Sequence, residues 1–355
     1  MNSLTIFWVA FIVLFFLVFG IDLYVTDHRK GELSVKTSLR WTAVWISIAL
    51  LFGVAIYFFF PQNPESTVRT SSTMMFKFIS GYLTEYSLSV DNLFVFIMIF
   101  SLMAVHPKNQ PKLLKLGILL SIVLRILFIV AGMELVQRFH WIIYIFGVIL
   151  LWTAYKMAFT SGDDQVDPKG NILYRTASKI FPLDPDPDAN HFMRKMNGKW
   201  HITMMFLVFL VIGSTDVLFA VDSIPAIIGV IKEGASQILT PQEEDFIAIT
   251  SNVFAVMGLI SLFFALKGIM GMFRFLKHGV SFILFFIGAK MLLTSVPAVE
   301  HFFAAHSWVS LVVIISTLAI SILLSMVIAE KEEIEDLHED LDEIQHALED
   351  KDKNV

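Results

Sequence analysis

The stretch "EYSLSVDNLFVFIMIF", Glu85 to Phe100, sits within an apolar run from Phe76 to Val105 that is long enough to cross a bilayer. It carries Glu85, Asp91 and Asn92 at depths where hydrocarbon is the expected surrounding. A charged side chain at mid-bilayer costs about 2.5–3.5 kcal/mol on insertion scales, so these residues call for a partner, a cavity or a bound ion. Working outward, comparable apolar runs recur near 4–24, 40–60, 76–105, 116–136, 141–159, 202–231, 246–266, 278–296 and 307–329. Each approaches the roughly 20 residues that span about 30 Å of hydrocarbon. The composition is 56% hydrophobic and 16% charged, with a mean hydropathy of +0.71. Soluble domains run at about 45–50% and about 25%, which excludes an ordinary soluble enzyme. The expected fold is an all-α polytopic membrane protein of about nine transmembrane helices. The first run lacks a basic leader and a small-residue cleavage site, so it reads as an anchor that is kept.

The chain contains no cysteine, which removes disulfides, thiolate metal sites and thiol redox chemistry. Twenty lysines and arginines fall in one set of alternate loops and the tail. Only Arg69, Lys77, Arg138 and Lys232 fall in the other set, and Arg125 and Lys290 lie within spans. By the positive-inside rule the N-terminus is expected outside and the C-terminus in the cytoplasm.

The expected organisation is two N-terminal spans (1–60), a three-helix unit (61–160), a cytoplasmic loop (161–200), a second three-helix unit (201–296), a ninth span (297–329) and an acidic tail (330–355). The loop contains "PLDPDPD", a turn-rich linker pattern. The tail carries twelve acids against three lysines, with Ile334, Leu337, Leu341, Ile344 and Leu348 at heptad steps. It reads as a solvated amphipathic helix or short coiled coil, suited to self-association or a protein partner; a metal-sensing role for its acids, His338 and His346 is the alternative. Nothing points to nucleic acid.

The two units resemble each other. "EYSLSVDNLFV" and "DVLFAVDSIPA" share an acid, five residues, then Asp and a small polar residue: Glu85 with Asp91 and Asn92, Asp216 with Asp222 and Ser223. Downstream, "YIFGVILLWTAYKM" matches "SFILFFIGAKM" and pairs Lys156 with Lys290. Helices three to five thus match six to eight. An odd number of crossings turns the second unit over, giving the inverted repeat of many secondary transporters, whose sites lie at midplane between the repeats.

Four acids facing lipid separately would cost on the order of 10–14 kcal/mol, so they are expected to share an interior cavity. Six residues leave the acids of a pair about 120° apart on an ideal helix, and Gly81 and Pro225 are expected to supply the irregularity that brings them together. With Asn92, Ser223 and Asn252 the set is all oxygen, which favours manganese, calcium or magnesium. Met98, one heptad after Asp91, would tilt the choice to manganese; the plainer reading of Met98 is core packing. The plainer reading of the acids is an interhelical network with Arg125 and Lys290, but two cations do not neutralise four carboxylates.

At these motifs the chain resembles the TerC family of integral membrane proteins, including its Alx branch. The resemblance runs through "GIDL", "WTAVWISIALLF", "GYLTEYSLSVDNLFVF", "LGILLSIVLRILFIVAG", "IFGVILL", "FAVDSIPAI", "TSNVFAVMGL" and "IGAKM". It implies a multi-pass protein of the bacterial inner membrane, linked to manganese export, to metal supply for exported proteins and to tellurite resistance. It further implies Glu85, Asp91, Asn92, Asp216, Asp222 and Ser223 as metal-binding residues, with Asp22 and Arg125 as membrane-embedded companions. The chain departs from the family pattern at Tyr86, Gly213 and Ile260, where Lys, Glu and Arg are usual. The last two departures remove one charge of each sign, which is neutral if those positions normally pair. The expected function is divalent-cation efflux with manganese as transported ion and no resident cofactor. The alternatives are a metal-delivery or partner protein for exported proteins, or a stress-resistance membrane protein without transport of its own. An enzyme is not expected: "SVDN" and "AVDS" are not intramembrane protease settings, and nucleophile or zinc-protease motifs are missing.

Overall fold

The computed structural model describes residues 3–28, 35–61, 70–103, 105–159, 171–184, 186, 191–196, 198–232, 238–267, 275–293, 295–306 and 308–328. The description does not extend to the side chains of residues 3 and 22–28, Asp91 and Asp222. The acidic tail with its heptad residues therefore lies outside the described residues, as does the side chain of Asp22.

The described chain is almost entirely helical. Two N-terminal helices, α1 (Ser3–His28) and α2 (Val35–Phe59), precede α3 (Thr70–Leu102), α4 (Gln110–Arg138) and α5 (Ile142–Phe159). After α6 (Ile172–Ile180) and a hairpin of β1 (Met193–Met196) and β2 (Lys199–Ile202) come α7 (Met204–Lys232), α8 (Pro241–Val256), α9 (Leu259–Lys267), α10 (Leu276–Leu293), α11 (Pro297–Ala305) and α12 (Trp308–Val327). Among the described residues eight helices are long and apolar enough to cross a membrane; α8 and α9, bent by 40° at their junction, make a ninth span if taken together. The run expected as one helix over 246–266 is thus broken. Met257 leaves the helix in an extended conformation and Gly258 takes φ +84°.

Gly258 is required twice over. Left-handed backbone is cheap only for glycine, and a Cβ there would sit 2.3 Å from Cδ1 of Trp45 on α2. Gly258→Ala should therefore lower stability by roughly 2–5 kcal/mol, combining about 1–2 for the backbone and about 1–3 for overpacking. Thermal unfolding of the purified protein measures this, with Gly20→Ala, where a Cβ meets nothing within 4 Å, as the control. Equal melting of the two variants would refute the assignment.

Helix starts follow local chemistry. Thr240 and Glu243 form a capping box, the Thr240 amide donating to Glu243 Oε2 at 2.8 Å, with Pro241 in the first turn of α8. Asn171 caps α6 by accepting from the amides of Leu173 and Tyr174, and its own amide donates to Ser214 Oγ, ten residues into α7, at 2.7 Å. The loop expected as a linker thus carries structure docked on α7. The Asp186 amide donates to Asp184 Oδ1 at 3.0 Å and holds that carboxyl below the usual carboxylate range.

At the centre α3 and α7 pack on each other, with α8 against α3 and α4 against α7, while α5 and α10 form a close pair. Lipid offers no hydrophobic drive for helix association, so small residues and close fit carry it. Gly147 and Gly288 mark one such approach: a Cβ at Gly288 would lie 2.9 Å from the Gly147 carbonyl oxygen. Nearby, Ser281 Oγ donates to the Ala154 carbonyl at 2.6 Å. The N-terminal helices are held by an aromatic cluster in which Phe52 packs, tilted, at 4.9 Å from Phe254 and 5.5 Å from Phe78, with Phe7 and Phe11 closing the far side.

The helices expected to be irregular at the motifs are not interrupted there. Helix α3 runs unbroken past Gly81, and α7 runs unbroken through Pro225. Gly81 serves close approach instead, since a Cβ there would meet Ser251 and Ile227 at 2.8 Å.

Candidate functional site

Three charged side chains from three helices converge near mid-helix: Glu85 of α3, Arg125 of α4 and Asp216 of α7, all buried. Arg125 is in direct ion-pair contact with Glu85, and its Nη2 lies 3.9 Å from Asp216 Oδ1. Two hydroxyls fix the geometry. Ser89, one turn beyond Glu85, donates to Glu85 Oε1 at 3.1 Å. Ser121, one turn before Arg125, accepts from Arg125 Nε at 3.1 Å and is also hydrogen-bonded to Asp216. Sequence reasoning missed both serines, although each stands four residues from a charged group on the same helix face, the spacing at which side chains meet.

The remaining oxygens are under-used. Glu85 Oε2, Asp216 Oδ2, Ser223 Oγ and Asn252 Oδ1 are buried with no hydrogen-bond partner among the described residues. Buried polar atoms are nearly always paired, so the free oxygens of Glu85 and Asp216, whose carboxyls meet at Arg125, are suited to an ion or water. The donor set is carboxylate, hydroxyl and amide oxygen, which fits a hard divalent cation. Among the described residues no three His, Asp or Glu side chains converge as a ligand group. Asp91 and Asp222 follow Glu85 and Asp216 by six residues on the same helices, and their side chains lie outside the described residues. Asn92 is half-buried on α3.

Two expected companions sit elsewhere. Lys290, at the far end of α10, donates to Ser310 Oγ at 2.7 Å and lies over the rings of Phe286 and Phe303 at 5.2 and 4.7 Å. The hydroxyl and the two ring faces hold this cation. Met98, about 20 Å along α3 from Glu85, lines a cavity of about 710 Å³ with Phe94, Ser101, Gln110 and Lys267. That lining includes none of Glu85, Arg125 and Asp216. Lys77 and Lys232, counted from sequence among loop residues, belong to α3 and α7: Lys77 is buried with Nζ donating to the Val230 carbonyl at 3.0 Å, and Lys232 pairs with the buried Glu244 of α8.

Fold and site together define a polytopic α-helical membrane protein with buried charged residues of α3, α4 and α7 at its centre. The chain belongs to the TerC family of integral membrane proteins, whose family model matches residues 70–333. It is 37% identical to STKORF319, an uncharacterized membrane protein of Myxococcus xanthus, over 90% of this chain and 92% of that one. It is 34% identical to Alx of Escherichia coli strain K12, described as a candidate membrane-bound redox modulator, over 81% and 85%. It is also 34% identical to the chloroplastic thylakoid membrane protein TERC of Arabidopsis thaliana, over 70% and 61%. No solved structure matches the chain.

Proposed function

We propose that this protein exports a divalent metal ion, Mn2+ foremost, through a carboxylate site at the centre of the bundle in a bacterial inner membrane, with the N-terminus outside and the C-terminus in the cytoplasm. The observation that carries the reading is a pair of buried carboxylates, Glu85 and Asp216, on paired central helices, served by one arginine and each left with an unpartnered oxygen. Asp91 and Asp222 add two further negative charges on the same helices. One guanidinium cannot balance four carboxylates, and a divalent cation supplies what is missing.

Packing supports an inverted repeat as the frame. Pairing Lys156 with Lys290 is a shift of 134 residues, which carries Gly147 to Ser281 and Ala154 to Gly288. The contacts Gly147 with Gly288 and Ala154 with Ser281 then interchange, as a two-fold axis between α5 and α10 requires. In the same sense α4 packs on α7 and α8 packs on α3. A site between such repeats can be reached from either side by rocking one unit against the other.

Protons compete with metal for carboxylates, because the ligands must be deprotonated to bind. Purified protein in inverted vesicles should accumulate Mn2+, and apparent affinity should strengthen as pH rises between about 6 and 8, where buried interacting carboxylates titrate. A flat profile would remove proton exchange from the mechanism. Absence of any Mn2+ movement, with the protein folded and inserted, would favour a metal-delivery role for exported proteins.

A further inference from the structure

Arg125 is placed as a cation would be. It is buried on α4, between Glu85 of α3 and Asp216 of α7. Its two attachments are unequal. The contact with Glu85 is direct and backed by Ser89, whereas Asp216 is reached only at 3.9 Å, beyond hydrogen-bond range. Nε is held by Ser121 of the same helix, so the head group is steered by its own turn and by Glu85, and Asp216 reaches it only through Ser121 and across 3.9 Å.

We infer that Arg125 is a tethered counter-cation that competes with the transported metal: it offsets part of the negative charge of the metal-free site, and a divalent ion binds by taking Asp216 from it. The inference rests on the divalent-cation reading above and assigns the residue that tunes the affinity. Glu85 is the anchor that keeps the guanidinium in place, and Asp216 is the carboxylate exchanged between guanidinium and metal. A divalent ion approaches a carboxylate to about 2.0–2.6 Å with twice the charge, so it outcompetes a guanidinium at 3.9 Å. The displaced guanidinium stays close and repels the bound ion, which weakens binding and favours release. When the ion leaves, Arg125 returns to Asp216, so Glu85 and Asp216 are never left without a counter-charge in a low-dielectric interior, where uncompensated charge is most costly. A transport site must hold its ion loosely enough to let it go, and a tethered competitor achieves this without altering the ligands.

An arginine that merely props the site open would behave in the opposite way when removed, because the ligands would lose their scaffold. The test uses purified full-length protein titrated with Mn2+, with free ion read from its electron paramagnetic resonance signal and bound ion from the rise in melting temperature. Arg125→Met should bind Mn2+ at least about tenfold tighter than wild type, show a larger metal-induced rise in melting temperature and transport more slowly. Arg125→Lys keeps the charge but loses the planar fork, so it should bind a few-fold tighter, and it decides the matter alone if the Met variant does not fold. Equal or weaker binding in the folded variants overturns the inference while leaving the functional reading intact. Wild-type protein that binds no Mn2+ up to millimolar concentration overturns both.

Discussion

Asp91→Asn and Asp222→Asn should each abolish manganese tolerance in cells that depend on this protein for it, while the protein remains in the membrane at wild-type level. Asparagine keeps the shape of aspartate and removes the charge, so the variant isolates the electrostatic contribution. The two aspartates occupy equivalent positions in the motifs of α3 and α7, each followed by a second oxygen-bearing residue, Asn92 and Ser223. Ser223 is buried with its hydroxyl unpartnered among the described residues. Hard divalent cations depend on charged oxygens for most of their affinity, and an amide oxygen replaces a carboxylate poorly. Growth at graded Mn2+, with membrane immunoblots for expression, is the measurement. Wild-type tolerance from either well-expressed variant would remove that residue from the site.

The second large effect is on stability. Glu85→Gln should destabilise the purified metal-free protein by about 3–5 kcal/mol, because it leaves Arg125 buried without its direct partner. The value should fall near the lower end, since Asp216 at 3.9 Å and Ser121 still attend the guanidinium. The double variant Glu85→Gln, Arg125→Met removes both charges and should recover much of that loss, giving a strong coupling in a double-mutant cycle. Thermal unfolding in detergent reads all four proteins. A single variant that melts with wild type, or a double variant whose loss is the plain sum of the singles, would show that the pair does not hold α3 to α4.

What the sequence determined by itself was the all-helical, membrane-spanning class and the number of crossings within the ambiguity of one bent helix. Each rests on a property local to the chain. Hydrocarbon tolerates only apolar runs of sufficient length, so α1 to α5, α7, α10 and α12 follow from composition read in windows. A capped start such as Thr240, Pro241 and Glu243 is likewise written in neighbouring residues. Asn171 followed by the amphipathic "ILYRTASKI" carries the same kind of signal for α6, masked by the proline-rich residues around it.

Only the tertiary structure decided how the charges are shared. Arg125 and Lys290 look alike in sequence, single cations within apolar runs, yet one sits between two carboxylates and the other on a serine and two phenylalanine rings. No local rule separates them, because the deciding quantity is which side chains other helices bring to the same depth and face. The uses of Gly258 and Gly81 were hidden for the same reason: a missing Cβ matters only when Trp45, or Ser251 and Ile227, arrive opposite it. Helix formation is governed by contacts a few residues apart, whereas a buried cation is governed by the partner that spares it from the bilayer, and that partner lies across the bundle.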